Sequence, residues 1–275
     1  MSIMETDGII GLDSWPDLQD IFSDVKFRSW AFRGQADAGW PLLSTLSRYL
    51  IRTSVLEEYW KQQESRILRI FQRKSHLFLP NPPPSDDSFE WLSIMQHHGA
   101  PTRLLDFTWS PYVAAFFALQ NASEEAAIWA IFPPGVLGNK FKTIRADQLA
   151  TPDDIGPWTI GNYERYFQVN ENNIVVIGEP HRMNQRLIAQ SGTFAMPGVL
   201  NTPIEQLVPP KYVKKIVIRK NARVAAMREL YQMNISEATL FPGLDGLARS
   251  LAFELESHWA FDPLTGEKYA GFYMD

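Results

Sequence analysis

The stretch RLLDFTWSPYVAAFFAL, residues 103–119, concentrates side chains that could do chemistry. Asp106, Thr108 and Ser110 stand at alternate positions after the apolar pair Leu104 and Leu105. In a strand that spacing puts all three on one face. Ser110 and Pro111 then read as N-cap and first residue of a helix that opens with Ala114, Ala115, Phe117 and Ala118. A carboxylate and hydroxyls delivered at a strand–helix joint suit the orienting of a ligand. Ser110 lacks the G-x-S-x-G elbow of an activated nucleophile. Asp106 has Arg103 and Arg33 as candidate partners.

Three further groups carry polar chemistry. Arg33 ends the aromatic run Trp30-Ala-Phe-Arg33-Gly34-Gln35, where a planar guanidinium presents a fork to phosphate or carboxylate. Gly34 beside it lets backbone approach a ligand. His97 and His98 are adjacent, so on a helix they point about 100° apart and do not share a metal. His98 beside a pocket is compatible with substrate contact. Glu237 is a carboxylate in the apolar, turn-rich segment ISEATLFPGLDGLA, placed either at a helix start or at a reacting centre. The segment NQRLIAQSGTF, 184–194, reads as a helix end leading into a strand.

The elements that must position these groups follow from periodicity. A helix is expected from Ser14, with Leu18, Ile21 and Phe22 on one face. Residues 27–32 read as a strand and 44–46 as a loop. A long helical pattern covers 49–76, with Arg66, Arg69, Arg73 and Lys74 on its solvated side. A helix over 88–97 ends at Gly99 and Pro101. Strands are expected over 126–132, 173–177, 193–196 and 213–218, and helices over 221–231 and 244–259. Residues 135–172 are irregular and 182–189 ambiguous. Intermingled helices and short strands make an α+β domain.

The chain has 275 residues, 45% of them hydrophobic, enough to bury a substantial core. It contains no cysteine, which excludes disulfides, thiolate metal sites and cysteine nucleophiles and suits a reducing cytoplasm. A net charge of −5 argues against sequence-independent nucleic-acid binding by counterion release, while a local basic groove stays open. The first fifteen residues lack a basic start and a continuous apolar run, so no signal peptide is expected, and no stretch suits a membrane span.

Four blocks, WAFRGQ (30–35), MQHHGAPTRLLDFTWSPYVAAFFA (95–118), NQRLIAQSGTF (184–194) and ISEATLFPGLDGLA (235–248), resemble the FRG-domain family of bacteria and phages. The order arginine, hydroxyls, glutamate also resembles the ADP-ribosyltransferase superfamily. The resemblance implies a single FRG domain over 1–275 with a core at about 27–250. It implies an ADP-ribosyltransferase-like split β-sheet with flanking helices and a helical insertion.

It also implies NAD as substrate and no metal. Glu237 would be the catalytic acid, stabilising charge on the ribose. Arg33, Gly34, His98, Thr108 and Ser110 would bind the dinucleotide, with Trp109, Tyr112 or Phe194 stacking on nicotinamide. The implied function is transfer of ADP-ribose to a protein, RNA or DNA acceptor, as a cytoplasmic toxin or anti-phage effector with an antitoxin partner. NAD hydrolysis and a non-catalytic binding module are the alternatives. The middle motif departs from the superfamily: Thr-Trp-Ser stands where Ser-Thr-Ser is usual. Ile235 stands where a second acid would precede Glu237, which puts arginine-directed modification in doubt.

Overall fold

A computed structural model describes residues 4–6, 9–135, 152–256, 258 and 260–268. Eight strands form one mixed sheet: β1 (Met4–Thr6), β2 (Ile9–Leu12), β3 (Ala31–Gln35), β4 (Leu105–Thr108), β5 (Ala126–Ile131), β6 (Val175–Gly178), β7 (Gly192–Pro197) and β8 (Val213–Ile218). Their order is β1-β2-β8-β5-β3-β4-β7-β6. Only β2 and β8 run parallel; every other neighbour is antiparallel.

The sheet is nearly parted in its middle. β3 matches β5 at five register positions, from Ala31↔Ile131 to Gln35↔Ala127, and β4 matches β7 at four. Between β3 and β4 a single pair, Phe32↔Thr108, holds the two halves together. Beyond that pair the strands diverge, and the residues that face the gap are Arg33 on one lip and Asp106 on the other.

The helices are α1 (Trp15–Ser23), α2 (Thr45–Arg52), α3 (Trp60–Ser75), α4 (Ser88–His97), α5 (Pro111–Leu119), α6 (Pro152–Ile155), α7 (Gln185–Ala189), α8 (Ile204–Leu207), α9 (Arg223–Gln232), α10 (Glu237–Leu240) and α11 (Leu244–Glu256). Helices α1, α5 and α9 cover one face of the β2-β8-β5-β3 half, burying Leu12, Phe32, Ile128 and Ile216. Helices α3 and α4, inserted between β3 and β4, pack with Tyr163 and Phe167 on Phe194 and Met196 of the other half. Leu105, Phe107, Trp129 and Ile131 meet Leu42 and Ile204 on the remaining face.

Helix α5 lies close to the sheet because both surfaces are small. Ala114, Ala115 and Ala118 are fully buried. A Cβ on Gly34 would stand 2.0 Å from Ala114 O and 2.5 Å from Ala118 N. Gly34 is therefore glycine for close strand–helix packing, rather than for a ligand's approach.

The expected α+β architecture, the helix over 88–97 and the strand over 213–218 are present. Gly99 ends α4 at φ 76°. Several boundaries differ. Residues 25–27 form a 3₁₀ turn, and the strand begins at Ala31. The expected loop at 44–46 starts α2, with Ser44 Oγ accepting from Ser47 N at 3.0 Å. The long run over 49–76 is two helices, parted where Ser54 adopts φ 53°. Ser110 is not on the strand face with Asp106, because β4 stops at Thr108 and Ser110 caps α5, accepting from Val113 N at 3.3 Å. The ambiguous 182–189 segment contains α7, capped by Asn184. Of the segment read as irregular, 136–151 lie outside the described residues, as do 257 and 259 at the end of the expected last helix.

Gly34→Ala should lower stability by about 1–3 kcal/mol, because the methyl meets backbone that cannot rotate away; urea unfolding monitored by tryptophan fluorescence measures this. Arg103→Met strands a buried Glu64 carboxylate (its partners are Arg103 Nε and Nη2) and should cost about 3–5 kcal/mol. Adding Glu64→Leu should recover much of that loss in the same assay.

Candidate functional site

A cleft of about 570 Å³ opens where β3 and β4 part, and Arg33, Thr108, Asp106, Arg48, Arg186 and Gln190 supply its polar lining. Trp40 and Phe117 add aromatic surface, and Trp40 is 53% exposed. Five elements supply most of them: Arg33 from β3, Arg48 from α2, Asp106 and Thr108 from β4, Phe117 from α5, and Arg186 from α7.

Arg33 Nη1 donates to the main-chain carbonyl of Asp106 at 2.7 Å, across the parted strands. Its Nε is buried and has no hydrogen-bond partner among the described residues. Burial pushes the guanidinium's pKa down, Asp106 pulls it back up, and Arg48 adds to the depression. An anion placed beside the guanidinium in the cleft would reverse that depression. Arg48 Nη1 and Nη2 donate to Leu43 O at 3.0 Å and Thr45 Oγ1 at 3.1 Å, which leaves its charge without a carboxylate partner among the described residues. Arg186 stacks on Phe241, its guanidinium carbon 4.7 Å from the ring centroid.

Of the lining residues named from sequence, the cleft gathers Arg33, Gly34 and Thr108. Thr108 is 4% exposed, and its Oγ1 is spent on the protein, donating to Gln190 O at 2.7 Å and accepting from Ser110 N at 3.0 Å. It braces the joint. Ser110 does not line the cleft. His98 faces an apolar groove with Phe71, Phe78 and Met95. Glu237 lines a second cavity, of about 290 Å³, with Arg223, Tyr231 and Phe253; its Oε2 accepts from Arg249 Nε at 3.3 Å.

The two cavities adjoin. Asn121 lines both. Phe241 lies between Arg186 and Arg249, each 4.7 Å from its ring centroid, and Gln190 Nε2 donates to Leu240 O at 3.0 Å. None of the three aromatic residues expected to stack lines the cleft. Trp109 Nε1 donates to Glu179 at 2.7 Å, Tyr112 packs on Trp15 and Phe22, and Phe194 is buried against Phe89.

Sequence reasoning missed Arg48, Arg186, Gln190 and Trp40. Arg186 and Gln190 are four apart in NQRLIAQSGTF, the spacing that places two side chains on one side of a helical turn. Arg48 was hidden because 44–46 read as loop. Beside the cleft, His97 shares a small recess with Asp106 and Arg186. Among the described residues no cluster of three or more His, Cys, Asp or Glu has the arrangement of a metal site, and no helix is long and apolar enough to cross a membrane.

Residues 28–127 match the model of the FRG domain. That match includes WAFRGQ and the block over 95–118, which supply Arg33, Asp106 and Thr108, and it also spans Arg48 on α2. Arg186, Gln190 and Glu237, together with β6, β7 and β8, lie beyond it. No curated protein and no solved structure matches the chain.

The His97 imidazole is held below its ordinary pKa by burial, then by His98 and Arg186. The folded state thus disfavours the protonated ring. Stability from this source is complete above about pH 6.5 and is lost as pH falls toward the lowered folded value. His97→Gln should flatten that slope, read as urea midpoints across the same interval.

Proposed function

We propose that the chain binds NAD in the Arg33 cleft, breaks the nicotinamide–ribose bond and passes ADP-ribose to a macromolecular acceptor. The observation that carries the reading is the gathering of Arg33, Arg48 and Arg186 in the lining of one cleft. Three cations facing one space call for a multiply charged anion, and a pyrophosphate fits that demand. Trp40 and Phe117 offer ring faces for a base or for nicotinamide. The near-parting of β3 from β4 supports an ADP-ribosyltransferase-like reading of the fold, since the cleft then lies at the split.

In the proposed reaction the C1′–N bond breaks and its electron pair leaves with nicotinamide, which becomes neutral. Positive charge develops on the ribose. An acceptor oxygen or nitrogen bonds to C1′ and gives up its proton to solvent or to a nearby base. A carboxylate held against the ribose stabilises that charge. The residue chemistry involved requires no metal. Protein, RNA or DNA is the acceptor, and the biological setting proposed is a cytoplasmic toxin or anti-phage effector restrained by an antitoxin.

A second reading is a binding module that holds a nucleotide without turning it over. It is favoured by Glu237 lining the neighbouring cavity and being paired with Arg249.

Incubation of the pure protein with labelled NAD and separate protein, RNA and DNA pools discriminates these. Label in one pool names the acceptor class, free ADP-ribose without labelled polymer means hydrolysis, and NAD binding without nicotinamide release means the binding module. Arg33→Ala should weaken NAD binding by about 1.5–3 kcal/mol in titration calorimetry, the scale of a hydrogen bond to a charged group. Unchanged affinity would place the ligand elsewhere.

A further inference from the structure

Asp106 is the only carboxylate among the described residues that line the Arg33 cleft. Its surroundings differ from those of Glu237 in three ways. First, it stands on the opposite lip of the parted strands from Arg33, and its main-chain carbonyl already receives Arg33 Nη1, so the two residues are locked in register. Second, among the described residues its carboxylate takes one hydrogen bond, from a neutral amide: Gln96 Nε2 donates to Oδ2 at 2.8 Å. No lysine or arginine side chain forms an ion pair with it there, whereas Glu237 faces Arg249. Third, the amide is itself oriented. Thr102 Oγ1 donates to Gln96 Oε1 at 2.6 Å and accepts from Leu104 N at 3.1 Å. With its oxygen taken, Gln96 is left with its NH₂ toward Asp106.

This is a chain of three side chains whose donors and acceptors agree, ending on an exposed carboxylate that, among the described residues, forms no ion pair, although its charge acts on Arg33. A structural carboxylate there would pair with an arginine. One held off by a neutral amide keeps its charge for something else.

We infer that Asp106 is the carboxylate that meets the ribose in this cleft, with Gln96 and Thr102 as positioning residues. The inference rests on NAD being the substrate. The dinucleotide carries a pyrophosphate anion and a pyridinium cation, and the cleft carries three arginines and one acid. As the C1′–N bond breaks, charge moves from the ring nitrogen to the ribose, and the Asp106 carboxylate faces that charge or accepts a hydrogen bond from a ribose hydroxyl. Asp106 itself forms no covalent bond. The glycosidic electron pair leaves with nicotinamide, and the acceptor's proton leaves with solvent or base.

The test measures NAD affinity and nicotinamide release on the full chain for wild type, Asp106→Asn, Gln96→Leu and Glu237→Gln. Asp106→Asn should keep its thermal midpoint, because the side chain is exposed and the carbonyl bonded to Arg33 is retained. It should bind NAD within a few-fold of wild type and release nicotinamide about 10²-fold or more slowly, as for loss of one group aimed at developing charge. Gln96→Leu should lower kcat by a smaller factor with KM little changed, an effect that loss of packing alone would not confine to kcat. Asp106→Asn turning over at the wild-type rate overturns the inference and leaves NAD cleavage standing, the more so where Glu237→Gln is inactive. Wild type that binds NAD without releasing nicotinamide, or does not bind it, overturns both.

Discussion

The placement of the cleft depends on the guanidinium of Arg103. It is completely buried and every contact it makes ties a different part of the chain. Nε and Nη2 grip the Glu64 carboxylate from α3, and Nη1 donates to Phe167 O at 2.7 Å and Pro197 O at 3.0 Å. Tyr163 packs beneath, its ring centroid 5.7 Å from the guanidinium carbon. Burial alone would lower the pKa of Arg103, but the charge and hydrogen bond of Glu64, together with Tyr163, outweigh it and the net shift is upward; burial raises that of Tyr163. Desolvating such a pair costs several kcal/mol per ion, so its value lies less in net stability than in the single arrangement that satisfies it. Arg103 stands two residues before β4. Once its fork is filled, the height at which Leu105 enters the sheet is set, and with it the position of Asp106 on the lip of the split.

The opposite lip is fixed by sterics rather than charge. Gly34 and the alanines of α5 let helix and strand approach until no Cβ fits between them. That contact joins β3 to the helix which follows β4, so the two strands are tied through α5 although they share one register pair. The sheet can therefore part without the halves drifting. A cleft formed this way has backbone from both strands at its rim, and Arg33 uses one such carbonyl as its anchor.

How far the sequence reveals this follows from the range of each interaction. Helix α4, the Ser110 cap and β8 were legible because caps and apolar periodicity are local. The break at Ser54 was not, because one residue with φ 53° interrupts an otherwise helical pattern without changing its polarity. Strands β1 and β2 are three and four residues long and were missed, since so short a run shows no period. Arg33 was legible from its glycine and aromatic neighbours, but the reason for the glycine was packing. Arg103 is one of two candidate partners the sequence offers Asp106, with Arg33; it belongs instead to Glu64, 39 residues earlier, a pairing that no local spacing encodes. Arg48 and Arg186 join Arg33 only after three elements assemble, so the strongest feature of the cleft, its repeated positive charge, has no linear signature.

The charge balance of the whole chain sharpens what that cleft is for. A protein with net charge −5 repels long polyanions over most of its surface. Three arginines gathered at one recess act at short range, because charges more than about 10 Å apart are largely screened at ordinary ionic strength. Field of that kind favours a compact anion able to enter the split over the extended backbone of a nucleic acid. Asp106 is the one acid of the lining among the described residues, and it stands beside Arg33 and Arg186, so charges of both signs meet in the recess. A ligand with phosphates at one end and a developing cation at the other is complementary to both, while a simple phosphate would leave Asp106 facing like charge. On the proposed reading, the arrangement would discriminate by the separation of charges within the ligand, which is the property that sets NAD apart from simpler nucleotides.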